Sequence, residues 1–489
     1  MDERSLSIEL PRGWSWARLG QFAEINPRFA PEDLSDDLEV SFLPMRCVEQ
    51  LTGRIDLSIT RKLLEVRKGY TSFEEGDILF AKITPCMENG KVAIARGLQS
   101  GIGFGSTEFH VIRLPKSLPR GFFFLFLIQA GLRRDARMGM TGSAGQLRVP
   151  TAYMREIEIP LPPLAEQRRI VAKIEELFSQ LDAGVAALDQ AKAQLKRYRQ
   201  AVLKHAFEGK LTQAWREAHK DELEPASALL ERIKMEREKA ATGKRRRKPL
   251  PPLDTSELPE GWVWARLEIV CEKVQDGSHF SPTDQFPSPG PDRFLYVTAK
   301  NIKEHGIDLS NITYVDGPFH RSIYRRCNPE YGDVLLIKDG VKTGVATVNS
   351  LSEQFSLLSS VALIKPKRGL VYPRLLKHFL NSPQGFIMIT GQMTGTAIKR
   401  IILARIRESY MPLPAIMEQQ QIVAEVERRL SVADAVEQMI LSSESEARRL
   451  RQSILKRAFQ GKLVPQDPSD EPAQVLLERI KAEKARREA

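Results

Sequence analysis

Apolar residues recur every three, four or seven positions through Ile170, Ile174, Leu177, Leu181, Val185, Leu188, Leu195, Tyr198 and Val202. That spacing lays them along one face of an α-helix. The rhythm returns at Ile422, Val426, Leu430, Ala433, Val436, Ile440, Ala447, Leu450 and Ile454, with Glu425, Arg428, Arg429, Glu444 and Glu446 between them. Each stripe follows a proline step, Ile159-Pro160-Leu161-Pro162-Pro163 or Met411-Pro412-Leu413-Pro414. Proline is accepted just before a helix and not inside one. Gly209 and Gly461 stand where a C-terminal glycine stop falls. The pattern therefore predicts helices over Leu164 to Phe207 and Ile416 to Phe459, each about 66 Å long. Stripes this narrow on helices this long need another helix to cover them. Antiparallel pairing within the chain is the simplest solution, and pairing between two copies uses the same stripes.

Elsewhere the apolar runs are short. Asp77-Ile78-Leu79-Phe80-Ala81 and Asp333-Val334-Leu335-Leu336-Ile337 follow Gly76 and Gly332, and with Phe109 to Leu114 and Val361 to Ile364 they predict strands. Gly101-x-Gly103-x-Gly105 and Gly340 to Gly344 carry loop signals. The longest apolar run, Phe122 to Ile128, falls far short of the roughly 20 residues of a membrane span, and its phenylalanines read as core. No signal pattern marks the polar start MDERSLSIEL, so a cytoplasmic protein is expected.

The chain repeats itself. Leu10 to Leu19 (LPRGWSWARL) returns as Leu258 to Leu267 (LPEGWVWARL), and Ala201 to Leu211 (AVLKHAFEGKL) as Ser453 to Leu463 (SILKRAFQGKL). Pro225 to Lys234 (PASALLERIK) returns as Pro472 to Lys481 (PAQVLLERIK). One unit of about 245 residues is written twice. Gln21 to Leu147 and Glu268 to Ile398 lie between the matching parts and share little sequence. Two alike frames holding different contents suit a protein that reads two different things at a fixed separation.

With 489 residues and 42% hydrophobic content, the chain has material for roughly two to four domains with cores. A net charge of +11 permits a polyanionic partner. The basic cluster Lys244-Arg245-Arg246-Arg247-Lys248, before Pro249-Leu250-Pro251-Pro252, reads as a solvated linker or a phosphate-contacting strand. Cys47, Cys86, Cys271 and Cys327 make no C-x-x-C pair and the histidines show no ligand spacing, so no bound metal is expected. Gly340-Val341-Lys342-Thr343 lacks the upstream glycine of a phosphate loop. Asn26-Pro27-Arg28-Phe29 puts arginine where a base-extruding methyltransferase loop has its second proline. The expectation is a chain that catalyses nothing alone.

Pro160 to Gln167 (PLPPLAEQ), Leu195 to Leu203, Gly209 to Thr212, their second copies from Pro412 to Gln419 and at Gly461-Lys462-Leu463, and the pair Gly76-Asp77-Ile78-Leu79 and Gly332-Asp333-Val334-Leu335 together resemble the specificity subunit of type I restriction-modification enzymes. The resemblance covers essentially the whole chain. It implies two mixed α/β (α+β) target recognition domains, joined by two long antiparallel helices that form a coiled coil, with a pseudo-two-fold internal repeat. The implied division is 1–163 and 251–415 for the two readers, and 164–250 and 416–489 for the helical spacers. It further implies a non-catalytic subunit reading double-stranded DNA as a bipartite site. Two methyltransferase subunits would dock on it, motor-nuclease subunits would join for cleavage, and S-adenosylmethionine and ATP would belong to those partners.

Sequence is read mainly at base edges while Lys and Arg hold phosphates. The polar residues of glycine-bounded segments are therefore the DNA-binding candidates: Lys82, Thr84, Asn89, Lys91, Ser106, Thr107, Glu108, Ser143, Gln146 and Arg148 in the first domain, and Lys338, Lys342, Thr343, Thr394, Thr396, Lys399 and Arg400 in the second. Arg133, Arg134 and Arg137 form a basic strip that faces phosphates or solvent. Two other readings compete: a stand-alone methyltransferase with a divergent donor loop, and a coiled-coil scaffold whose readers are degenerate.

Overall fold

A computed structural model of the chain describes residues 9–27, 34–143, 145–240, 257–391 and 400–488. The candidates Thr394, Thr396 and Lys399 and the basic cluster at 244–248 lie outside these residues. The chain forms two compact units, 1–189 with 441–489, and 190–440. Both long helices are present, at Leu164–Phe207 and Ile416–Ala458, and each has residues in both units.

In the first unit Ile170 and Ile174 of the first helix share a core with Leu455 and Ala458 of the second, and Asp182 pairs with Arg451. In the second unit Val202, Leu203 and Ala206 pack with Ile422, Val423 and Val426, and Arg199 bridges to Asp434 at 2.7 Å and Glu437 at 2.6 Å. The beginning of one helix lies against the end of the other in both units, which is the antiparallel pairing predicted by the stripes.

Among the described residues the reader in the first unit holds ten short strands. Strand β1 (Ser15–Arg18) pairs with β10 (Glu158–Leu161). One four-stranded sheet has the order β2-β9-β6-β7, with β2 at Glu24–Ile25, β6 at Ile78–Ala81, β7 at Val92–Ile94 and β9 at Phe109–Arg113. The other has the order β4-β3-β8-β5, with β3 at Glu39–Leu43, β4 at Thr60–Lys62, β5 at Thr71–Glu74 and β8 at Ile102–Gly105.

The second reader repeats this plan. β11 (Val263–Arg266) pairs with β21 (Tyr410–Leu413). The sheet β12-β20-β17-β18 is built from Cys271–Asp276, Val361–Pro366, Val334–Ile337 and Ala346–Val348. The sheet β16-β13-β19 is built from Thr313–Asp316, Arg293–Val297 and Phe355–Leu357, and β14 (Ile302–Lys303) pairs with β15 (Gly306–Ile307).

Register shows why the Gly-Asp motif recurs. Ile78 faces Ile112 as Val334 faces Ile364, so Asp77 and Asp333 precede equivalent strands, and Arg113 and Lys365 follow equivalent partners. Asp77 accepts from Glu74 N at 2.8 Å and bridges to Arg113 at 2.8 Å; Asp333 accepts from Glu330 N at 2.7 Å and bridges to Lys365 at 2.7 Å. Each buried carboxylate is thus satisfied by a turn amide and a cross-strand cation, the condition under which a buried charge is tolerated. Gly76 and Gly332 both have φ +88°, the left-handed turn that only glycine adopts without strain.

Gly103 and Gly105 overturn the loop expectation, because they lie inside strand β8. A Cβ on Gly103 would sit 2.1 Å from the Phe73 ring, and one on Gly105 would sit 2.4 Å from the Leu43 carbonyl. The glycines are there for close packing. Phe122 and Phe123 are core as expected, and Phe122 meets Phe459, the residue just past the second long helix, at 5.0 Å between centroids.

All three repeated segments meet at one node in each unit. In the first unit Trp14 Nε1 donates to Glu166 Oε2 at 3.0 Å, Ala473 N donates to the Gly13 carbonyl at 2.8 Å, and a Cβ on Gly461 would meet Pro11 at 2.3 Å. In the second unit Trp262 Nε1 donates to Glu418 Oε2 at 2.8 Å, Ala226 N donates to the Gly261 carbonyl at 3.1 Å, and a Cβ on Gly209 would meet Pro259 at 2.3 Å. Gly209 and Gly461, at φ +70° and +67°, end the helices as expected and leave room for these prolines. Gln167 donates to the Pro162 carbonyl and Gln419 to the Pro414 carbonyl, fixing the proline step to the helix start. The Glu-Gln dipeptide of each proline-step motif is therefore a structural lock.

Candidate nucleic-acid interface

In the first reader, one end of the β2-β9-β6-β7 sheet collects most of the candidates. Lys82 leaves β6 and is held by backbone bonds, its N–H to Glu108 O at 2.9 Å and its carbonyl from Val149 N at 2.9 Å. Thr84 N and Oγ1 donate to the Leu147 and Gly145 carbonyls at 3.0 and 3.2 Å. Glu108 N donates to Ser106 Oγ at 3.2 Å, and Gln146 N donates to the Ser143 carbonyl at 3.0 Å. Arg148 grips Glu108, with Nε at 3.0 Å from Oε2 and Nη2 at 2.7 Å from Oε1. That guanidinium is the main cause holding the Glu108 carboxyl below its usual range, so Glu108 stays an acceptor at neutral pH. Lys82, Thr84, Ser106, Glu108, Ser143, Gln146 and Arg148 thus share one edge, and Thr107 is exposed in the turn between Ser106 and Glu108. Asn89 and Lys91 lie in the turn region between β6 and β7, where the Lys91 ammonium donates to the Met45 carbonyl at 2.7 Å. Of the basic strip, Arg133 and Arg137 engage Glu88.

Behind that edge stand His110, which carried no spacing signal, and Asn26, the first residue of the Asn-Pro-Arg-Phe segment. His110 Nε2 lies 2.8 Å from the Val149 carbonyl, so Nε2 bears the proton and Nδ1 accepts from Asn26 Nδ2 at 3.2 Å. Burial lowers the His110 pKa and keeps this ring neutral. Asn26 Oδ1 in turn accepts from Val111 N at 3.0 Å. Asn26 is a brace for β9, in a left-handed backbone with φ 54°.

The second reader uses the same backbone frame with other side chains. Lys338 N donates to Ser360 O at 2.9 Å and its carbonyl accepts from Ile401 N at 2.7 Å, matching the bonds of Lys82. Ser360 therefore occupies the place of Glu108, and Arg400 the place of Arg148. Arg400 faces Asp339 at 3.8 Å, a looser contact than the Arg148 fork. The Lys338 ammonium, 3% exposed, sits 3.1 Å from Asp276 Oδ2, and Asp276 also faces His279 at 3.2 Å and Arg326 at 3.5 Å. Lys342 is exposed in the turn after β17, and Thr343 Oγ1 donates to the Gly340 carbonyl at 2.6 Å. Asp276, His279 and Arg326 were not among the sequence candidates, because a strand end and a helix end give no local cue to their meeting. Among the described residues no group of three or more His, Cys, Asp or Glu side chains is placed to hold a metal ion. No helix among them is long and apolar enough to cross a membrane.

Residues 11–196 match the type I restriction modification DNA specificity domain. Over nearly its whole length the chain is similar to type I restriction enzyme specificity subunits, the family its sequence motifs resemble. Over 94% of its length it is 29% identical to the specificity subunit of the Escherichia coli type I restriction enzyme EcoAI and 28% identical to that of EcoEI, covering 84% of each relative. It is 26% identical to the EcoKI specificity subunit of Escherichia coli K12, over 98% of this chain and 97% of that one. Its fold is similar to a solved chain of a type I R-M system, with TM-score 0.70 and 21% identity over 93% of this chain and 99% of that one. It is also similar to the HsdS subunit from Thermoanaerobacter tengcongensis, with TM-score 0.53 and 20% identity over 93% and 98%.

Proposed function

We propose that this chain is the sequence-specific, non-catalytic DNA-reading subunit of a type I restriction-modification complex, each reader taking one half of a bipartite site in double-stranded DNA. The observation that carries this is one backbone frame used twice, in which Lys82 and Arg148 recur as Lys338 and Arg400 while Glu108 gives way to Ser360 and Ile83 to Asp339. Glu108 and Arg148 stand where the second reader has Ser360 and Arg400. Glutamate accepts from cytosine N4, arginine donates to guanine, and serine serves either role, so the two edges suit different sequences. The paired helices set the gap between half-sites, and they dock two methyltransferase subunits, with motor-nuclease subunits joining for cleavage. S-adenosylmethionine and ATP are assigned to those partners.

Coexpression with a type I methyltransferase subunit, followed by mapping of modified adenines in the host DNA, tests this reading. The expected result is one bipartite motif with a fixed unread gap, absent without this chain. A soluble complex with no motif sinks it and favours the scaffold alternative. Inserting four residues, about 6 Å of helix, at Ala186 and at the matching point of the second helix lengthens the gap by about one or two base pairs. An unchanged gap disposes of the spacer role.

A further inference from the structure

The loop that follows β12, residues 277–282, is built to hold one aromatic ring out into solvent. Ser278 N donates to the Leu357 carbonyl at 2.7 Å, Ser359 N donates to the Ser278 carbonyl at 2.8 Å, and Arg326 Nη2 donates to the Gly277 carbonyl at 2.6 Å. Ser278 Oγ closes the turn onto the Phe280 carbonyl at 2.8 Å. A Cβ on Gly277 would sit 1.8 Å from the Leu357 carbonyl, so the approach of the loop to β19 requires glycine there. On this fixed support Phe280 is 80% exposed. A phenylalanine left in water forgoes the burial that ordinarily stabilises such side chains, so a hydrogen-bonded loop that displays one prepares it for a partner.

The surroundings name the chemistry of that partner. The loop leaves the end of β12 beside Lys338, the residue after β17, through the shared Asp276 carboxylate. His279 and Arg326 are each about half exposed on Asp276, and Lys342 is exposed in the turn beyond Lys338. Apolar side chains within a cationic rim are the arrangement that contacts bases while cations hold phosphates. We infer that Phe280 is a specificity-determining residue of the second reader, making an apolar contact with a base of its half-site while His279 and Arg326 hold the adjacent phosphates. This rests on the DNA-reading function proposed above and adds an element absent from the sequence candidates.

The test uses the full chain coexpressed with the methyltransferase subunit, as wild type, Phe280→Ala and Phe280→Leu. Phe280→Ala is expected to relax one base position in one half-site and to lower methylation at the original motif about tenfold, leaving the other half-site unchanged. Phe280→Leu should recover part of that loss. An unaltered motif and rate in Phe280→Ala overturns the inference, whereas a wild-type chain that yields no motif overturns the DNA-reading function as well. Because the ring is exposed, the alanine variant should assemble and melt like wild type; a lowered melting temperature assigns Phe280 to folding and overturns the inference too. Duplexes with deoxyuridine in that half-site distinguish the two forms of contact. Loss of about tenfold in wild-type affinity, with none in Phe280→Ala, identifies the thymine methyl. Unchanged affinity with a rise in 2-aminopurine fluorescence identifies insertion between base steps.

Discussion

Trp262 and Trp14 hold equal places in the two units, yet the carboxylates they bond are served very differently. Glu418 takes the Trp262 indole, Arg216 Nε at 2.9 Å and Thr212 Oγ1 at 2.7 Å. Among the described residues Glu166 takes the Trp14 indole alone, and its buried Oε1 meets no hydrogen-bond donor. The sequence gives the cause. Where one copy has Gly209-Lys210-Leu211-Thr212 and then Arg216, the other has Gly461-Lys462-Leu463-Val464 and then Pro468. The valine and proline side chains carry no donor, so burial pushes the Glu166 carboxyl up from its ordinary value. Duplication therefore preserved the bond that fixes geometry and let the bonds that merely satisfy charge diverge.

Removing the fully served carboxylate breaks the comparison most severely. Glu418→Ala leaves the Arg216 cation and two donors stranded at a buried site and should cost about 3–5 kcal/mol, read as a lowered denaturation midpoint of the full chain. Next in size are the two reader edges. Arg148→Ala should weaken specific DNA binding by about 1–3 kcal/mol and relax one half-site, and it should also free Glu108 to read with less discrimination. Arg400→Ala, whose arginine faces Asp339 at 3.8 Å, should have the smaller effect on its own half-site; competition binding at fixed salt ranks them.

Glu166→Gln should shift stability at neutral pH by less than about 1 kcal/mol and toward greater stability, since a neutral amide still accepts the Trp14 bond. The same change at Glu418 should destabilise. Equal effects at the two positions would end the distinction drawn between them. The smallest effect is a pH slope. The folded pKa of Glu166 lies above 4.5, so the folded state keeps a proton that the unfolded chain has released. Its contribution falls as pH rises from 4.5 through the folded value, and Glu166→Gln should flatten that part of the stability profile. Glu108 has the opposite sign: its folded pKa lies below 4.5, and its contribution is lost as pH falls through that value.

Much of the scaffold was legible from residues alone. The stripes, proline steps and glycine stops located both helices, with the second ending at Ala458, one residue before Phe459. The Gly-Asp motifs located β6 and β17. These signals are local, because helix periodicity, proline geometry and positive φ act within a few residues of chain. The glycines of β8 misled, because a Gly-x-Gly alternation looks like a turn until Phe73 is packed across it. Seven of the polar candidates converge on one sheet edge of the first domain, but the sequence did not show the partners that set their character.

What the sequence by itself determined is the repeat, the helices and the polarity of the reader segments. Only the tertiary structure decided which residue satisfies which. It joined the Trp-containing entry segment of one copy to the glycine stop of the other, set Arg148 on Glu108, and buried Lys338 against Asp276. Those choices are made between residues far apart along the chain, where no periodicity reaches. A charge or amide taken out of water must find a partner in space, and the fold alone supplies it.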